Sequence, residues 1–253
     1  MHTDNFDILA QLIDRRLAQV KDEAARALLF FPIQILQRKK DIAGLPQNAH
    51  VIKLYQVKDS EDLLKKKAEI TRLCELFEAR AMLNLNPKSY KEVAFGMLKK
   101  LSELLSQEAY PAVDKLLSSC INSAGVGSKE LKKYWIIDVD EVSEPAPVIA
   151  TIQEQLTSTN PIGEEKLVSI VPSKSGVHLI THPFDTNGVC FADTIEIKKD
   201  CLTNLHLLNH EKSIYYSKRL EYPCRMFSGS KRRTCCQRKR GVEIGLGRRF
   251  QSR

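Results

Sequence analysis

The first thirty residues repeat apolar side chains at helical spacing: Phe6, Leu9, Leu12, Ile13, Leu17, Val20, Ala24 and Leu28. A stripe of this period lies along one side of a helix, so residues 3–30 are expected to begin the chain as an amphipathic helical segment. The run FFPIQILQ follows at 30–37 and ends in the basic cluster Arg38-Lys39-Lys40. A Gly-Leu-Pro turn at 44–46 then leads into His50–Tyr55, which alternates like a short strand. Asp59 and Ser60 are placed to cap a helix from about Glu61 to Phe77, with Leu63, Leu64, Ile70, Leu73 and Phe77 on one side. Ala79–Asn86 alternates again and reads as a strand stopped by Pro87. Two helices are expected after it, at Ser89–Leu105 and Tyr110–Cys120, and then a Gly-containing loop at 124–128.

The most strongly patterned stretch is Tyr134–Glu141, YWIIDVDE. An acidic, proline-bearing loop (EVSEPAP) opens a helix from about Val148 to Leu156. Leu167–Pro172 and Val177–Thr181 flank a turn at Ser173–Gly176 and read as a β-hairpin. Thr194–Lys198 is another alternating strand, and Leu205–Leu208 extends the sheet. Strands and helices alternate without a strict βαβ order, which predicts an α+β fold with a mixed or antiparallel sheet core. The expected division is a helical N-terminal region (1–78), an α+β core (79–208) and a basic, poorly ordered tail (209–253).

Charge sharpens that last boundary. The net charge is +8, yet residues 212–253 carry 13 Lys or Arg against two Glu, while residues 1–211 carry 26 basic and 29 acidic side chains. The body is therefore slightly acidic, and the basic character belongs to the tail. Either the tail is an arm that adds sequence-independent affinity for nucleic acid, or it is an extension unrelated to the fold. No apolar run reaches bilayer-spanning length and the N-terminus lacks a signal-peptide core, so a soluble, cytoplasmic protein without a membrane partner is expected. Cys74, Cys120, Cys190 and Cys201 stand singly, which points to free thiols. Cys224, Cys235 and Cys236 with His210 lack the C-x-x-C spacing of a zinc site.

Candidate chemistry rests on two constellations. In Trp135-Ile136-Ile137-Asp138-Val139-Asp140, a buried strand delivers two carboxylates two residues apart, hence on one face. Such a pair suits Mg²⁺ or Mn²⁺, although a bare D-x-D also caps loops at strand ends. Pro172–Leu179 (PSKSGVHL) places Ser173, Lys174, Ser175, Gly176 and His178 around one turn, where exposed N–H groups, an amine and an imidazole suit a triphosphate. A polar hairpin turn followed by a half-buried histidine is the plainer alternative.

Together these motifs resemble the catalytic core of the archaeo-eukaryotic primase superfamily, in which a strand ending h-D-h-D precedes an S-x-G-x-H-like motif by some tens of residues. The version here is the compact Ser175-Gly176-Val177-His178. The resemblance implies that Asp138 and Asp140 bind divalent metal and that Ser173 or Ser175, with His178, contacts the incoming nucleotide's phosphates. It also implies a third acid on a later strand. Glu196 is the best candidate for that catalytic and metal role, with Asp193 and Asp200 as runners-up, and a Glu where the family has Asp is a departure. Asn204, on the strand after it, is placed to face nucleotide or nucleic acid. The implied partners are nucleoside triphosphates, a single-stranded DNA or RNA template and a replicative helicase. Arg38, Lys39 and Arg80, with Lys40, are the basic residues placed to line a template groove. Three functions follow: a primase-type nucleotidyltransferase, an inactive nucleic-acid-binding relative, or a metal-dependent nuclease. Ile35–Ile42, Ala79–Asn86 and Trp135–Glu141 also resemble segments of uncharacterised proteins from bacteriophages and mobile elements of gut bacteria.

Overall fold

A computed structural model describes residues 2–39, 41, 49–140, 145–187, 189 and 191–208, with backbone only at His2, Leu207 and Leu208. Lys40, the 44–46 turn, Glu141, Cys190 and everything expected of residues 209–253 lie outside the described residues. The architecture is α+β, built on two sheets in which all the described strand pairings are antiparallel.

The larger sheet contains β1 (His2–Asp4), β2 (Leu29–Arg38), β3 (Ala49–Val57), β4 (Arg80–Asn84), the short β5 (Lys88–Ser89) and β10 (Leu202–Leu208). Its order is β1-β10-β4-β2-β3, with β5 pairing β2. The smaller sheet is ordered β7-β8-β6-β9, from β6 (Trp135–Val139), β7 (Leu167–Pro172), β8 (Val177–Thr181) and β9 (Ile195–Lys198). Helices α1 (Phe6–Ala18) and α3 (Ser60–Leu76) pack on the larger sheet. Phe6, Leu9 and Ile13 from α1 and Leu63 and Ile70 from α3 meet Ile33, Ile35, Ala81 and Leu83 in the main core, all with exposures of 0%. Each large apolar side chain removed from water here contributes about 1.5–3 kcal/mol before chain entropy is charged against it. Helices α4 (Tyr90–Ser106) and α5 (Leu116–Ser123) pack around Phe30, while α6 (Pro145–Ser158) covers Ile137, Val139 and Leu179 of the smaller sheet through Ile152 and Leu156.

The helical stripe expected over 3–30 is broken. Helix α1 ends at Ala18, and Asp22 then caps a five-residue helix α2 (Glu23–Ala27) by accepting from the N–H groups of Ala24 and Ala25 at 3.0 and 3.2 Å. By Leu29 the chain is already in β2. Aromatic and β-branched residues between two partner strands outweigh the local helical period there. Pro32 is tolerated because the β4 pairing begins only at Ile33, so the proline's missing N–H costs no bond on that side.

Sheet pairing crosses the boundary expected at 78/79. Strands β2 and β3 belong to the supposed helical region, yet they complete the sheet that β4 and β10 share, and Met1–His210 forms one unit. Sheet pairing between distant segments leaves no compositional trace. Leu205–Leu208 extends the larger sheet, next to β4 and β1, and not the one that carries the acids. Most other elements lie within a few residues of expectation; the helix expected at Tyr110–Cys120 begins as a 3-10 turn at Tyr110–Lys115. No helix among the described residues is long and apolar enough to cross a membrane.

Two buried polar side chains join the sheets. Asn5 donates to Pro172 O at 2.9 Å and to Asn204 O at 2.8 Å, tying the β7 end to β10. Arg16, fully buried, donates to Leu85 O, Asn86 Oδ1 and Lys132 O, and its guanidinium stacks 3.8 Å above the Tyr134 ring just ahead of β6. These contacts set where the acid-bearing strand lies against the larger sheet.

Candidate functional site

Strand β6 pairs with β8 so that Asp138 stands opposite His178, and with β9 so that it also stands opposite Glu196. Directly opposed residues share a face of the sheet, so one strand position gathers an acid, an imidazole and a second acid. The turn between β7 and β8 folds over the end of β6. Gly176 is required there by space: a Cβ on it would lie 1.8 Å from Val139 O. Ser175 Oγ donates to Asp140 Oδ1 at 3.2 Å, which links the turn to the second acid.

The larger sheet supplies the facing wall. While Ile33, Ile35, Ala81 and Leu83 enter the core, the alternate residues Gln34, Leu36, Arg80 and Met82 line a cleft of about 520 Å³. Arg38, Asp41 and Asn204 line it as well, and from the smaller sheet so do Asp138, Asp140, Ser173, Lys174, Ser175, His178 and Lys198. Residues separated by a hundred positions in sequence thus meet in one cavity.

Its electrostatics are closely paired. Arg80, mostly buried, forms an ion pair with Asp41, and Lys174 approaches the other Asp41 oxygen at 3.9 Å. An arginine from one sheet and a lysine from the other therefore converge on a single carboxylate. Asp138 is 6% exposed; its Oδ2 is held by Lys198, and its Oδ1 lies 3.1 Å from His178 Nε2 without the alignment of a hydrogen bond. Burial works against the charge on Asp138, but His178 and Lys198 more than offset it and hold the carboxyl well below the usual carboxylate range. The His178 ring is fixed from behind by Thr203 Oγ1, 2.9 Å from Nδ1. Three buried atoms of cleft-lining residues, Asp138 Oδ1, Ser173 Oγ and Asn204 Oδ1, have no hydrogen-bond partner within the protein. Unsatisfied buried polar atoms are uncommon in folded proteins.

Of the expected site residues, Asp138, Asp140, Ser173, Lys174, Ser175, His178, Arg38, Arg80 and Asn204 come together. Gly176 shapes the turn. Lys39 is exposed and does not line the cleft, because a turn begins as β2 ends at Arg38. Glu196 stands on the expected face, but its side chain is 71% exposed, is paired to Lys198 at 3.3 Å and is not part of the cleft lining. Asp200 lies elsewhere, accepting from Asn84 and Asn86. Lys198, Asp41 and Thr203 carry parts of the site that the sequence reading missed. For Lys198 the signal was present: the alternation in TIEIK that nominates Glu196 puts the lysine two residues on, on the same face.

In general, Mg²⁺ and Mn²⁺ at phosphate-handling sites are held by one or two carboxylates, with phosphate and water completing the shell. Asp138 and Asp140 are the two strand-end carboxylates that line the cleft. Asp138, Asp140 and Glu196 are not gathered into a three-ligand set, and no group of three or more His, Cys, Asp or Glu among the described residues is arranged to hold an ion. Comparison of the chain with protein-family models, curated proteins and solved structures finds no match to any of them.

Proposed function

We propose that this cleft is the active site of a metal-dependent nucleotidyltransferase of primase–polymerase type, using nucleoside triphosphates on a single-stranded DNA or RNA template. The observation that carries the reading is the meeting of two strand-end acids, a Ser-Lys-Ser-Gly turn and two arginines of another sheet in one cavity. Arg80 and Lys174 hold phosphate oxygens in this reading. They already converge on the Asp41 carboxylate, and a phosphate offers the same charge and acceptor chemistry. Ser173 Oγ and Asn204 Oδ1 supply one hydroxyl and one acceptor for the sugar or base. Arg38, at the end of β2, faces the same cavity and is positioned for a template phosphate. His178, locked by Thr203, fixes the Asp138 side chain. Asp138 and Asp140 would hold the divalent ion, whose chemistry when bound is to activate the attacking hydroxyl and neutralise the leaving pyrophosphate.

The test is incorporation of labelled nucleotides on a single-stranded template with Mg²⁺ or Mn²⁺, comparing wild type with Asp138→Ala/Asp140→Ala. Product from the wild type alone supports the reading. No product from a folded wild type that still binds nucleic acid rejects it in favour of a second reading, nucleic-acid binding without catalysis. One observation favours that second reading: a lysine already neutralises Asp138.

A further inference from the structure

Lys198 lies between two acids of unequal exposure. Its ammonium contacts Asp138 Oδ2 on the inside and Glu196 Oε2 at 3.3 Å on the outside. The Asp138 side chain is 8% exposed and that of Glu196 71%, with Lys198 between them at 39%. The register explains the arrangement. Glu196 stands opposite Asp138, and Lys198, two residues further along β9, projects from the same face and reaches back across both. The ammonium already touches both acids, and a lysine's flexible stem lets it favour either one without moving the strand.

We propose that Lys198 is the resident counter-ion of Asp138, standing where a divalent cation binds, and that Glu196 is the acid that receives the lysine when the cation enters. This rests on the reading that Asp138 and Asp140 take Mg²⁺ or Mn²⁺. An ammonium and a divalent cation repel, so they compete for one buried carboxylate, and the cation's affinity includes the work of displacing the lysine. Glu196 then governs metal affinity through Lys198 and is not itself a ligand, which accounts for its exposure and its absence from the cleft lining.

The experiment is titration of the full chain with Mn²⁺ alone, read by calorimetry and by the loss of the free-ion paramagnetic resonance signal, with folding followed by circular dichroism. Removing the competing charge in Lys198→Met should tighten Mn²⁺ binding about tenfold or more, by analogy with the one to three pKa units by which a single charge within about 4–6 Å shifts a carboxylate's ionic equilibrium. Lys198→Gln, polar and of similar length, serves the same purpose should the methionine variant fail to fold. Glu196→Gln alone should weaken binding, because the lysine loses its outer partner. In the double variant with Lys198→Met, the Glu196→Gln effect should vanish. A Glu196→Gln loss that persists in the double variant makes Glu196 a direct ligand and overturns the proposal. So does an affinity unchanged by Lys198→Met, and if that affinity is abolished by Asp138→Asn, the metal reading itself stands. Failure of both wild type and Lys198→Met to bind Mn²⁺, or binding that survives Asp138→Asn, overturns the proposal together with the reading beneath it.

Discussion

Gly176→Ala asks whether the turn must lie against β6 for the site to exist. The added Cβ would fall 1.8 Å from Val139 O, 2.9 Å from Val139 C and 3.3 Å from Asp140 Cα, where real contacts essentially never fall below 3.0 Å. The turn has to retreat by about 1.2 Å, and the obstacle is backbone, so no side chain can rotate aside. The pairs nearest the clash are Val139 with Val177 and Asp138 with His178. Overpacking at about 1–3 kcal/mol, with about 1 kcal/mol for a weakened ladder hydrogen bond, gives roughly 2–4 kcal/mol. For a unit of this size that lowers Tm by roughly 4–16 °C. Because the retreat carries Ser175 away from Asp140 and shifts Lys174, nucleotide affinity should fall as well. Thermal melting and equilibrium nucleotide binding read the two effects. Gly96→Ala is the control: it lies inside α4, where an added methyl would meet nothing within 4 Å, so it should gain about 0.5–1 kcal/mol. A Gly176→Ala protein that melts and binds nucleotide like wild type would refute the steric argument and with it the placing of the turn.

Three further outcomes are expected. Arg80→Ala and Lys174→Ala should each weaken triphosphate binding by roughly 10- to 150-fold, the span of about 1.5–3 kcal/mol for a charge-assisted hydrogen bond, while Asp41→Asn should strengthen it by freeing both cations; fluorescence titration with a labelled nucleotide measures all three. Arg16→Met should lower stability to urea by roughly 3 kcal/mol or more, because buried carbonyls of Leu85 and Lys132 lose their donor, and Arg16→Lys should restore little since one ammonium cannot serve that fork. Asp138 has a folded-state pKa depressed from its ordinary value of 3.8. Its contribution to stability is therefore complete at neutral pH and is lost as pH falls below about 4, through the folded value. The stability gap between wild type and Asp138→Asn in urea should be widest near pH 6–7 and narrow as pH falls through 4 towards 3, on a linkage slope approaching about 1.4 kcal/mol per pH unit.

Local patterning was enough to reveal most elements and both chemical motifs. The alternation of YWIIDVDE places Asp138 and Asp140 on one face of a strand because the period of a strand is two, and Asp59 announces α3 because its side chain accepts from the N–H of Asp62 at 2.7 Å. The turn at Ser173–Gly176 is equally local. What lay beyond the sequence was pairing across distance. Nothing local says that β2 and β3 close a sheet with β10, that Asn5 fastens Pro172 to Asn204, or that Arg16 seats Tyr134 ahead of the acid strand. Those contacts depend on hydrogen bonds between segments up to 199 residues apart, whose partners are chosen only when the chain closes. The same holds for the site. Its motif residues could be read one strand at a time, but the pairing of Arg80 and Lys174 through Asp41, and the lysine standing on Asp138, exist only because two sheets bring their polar faces to one cleft.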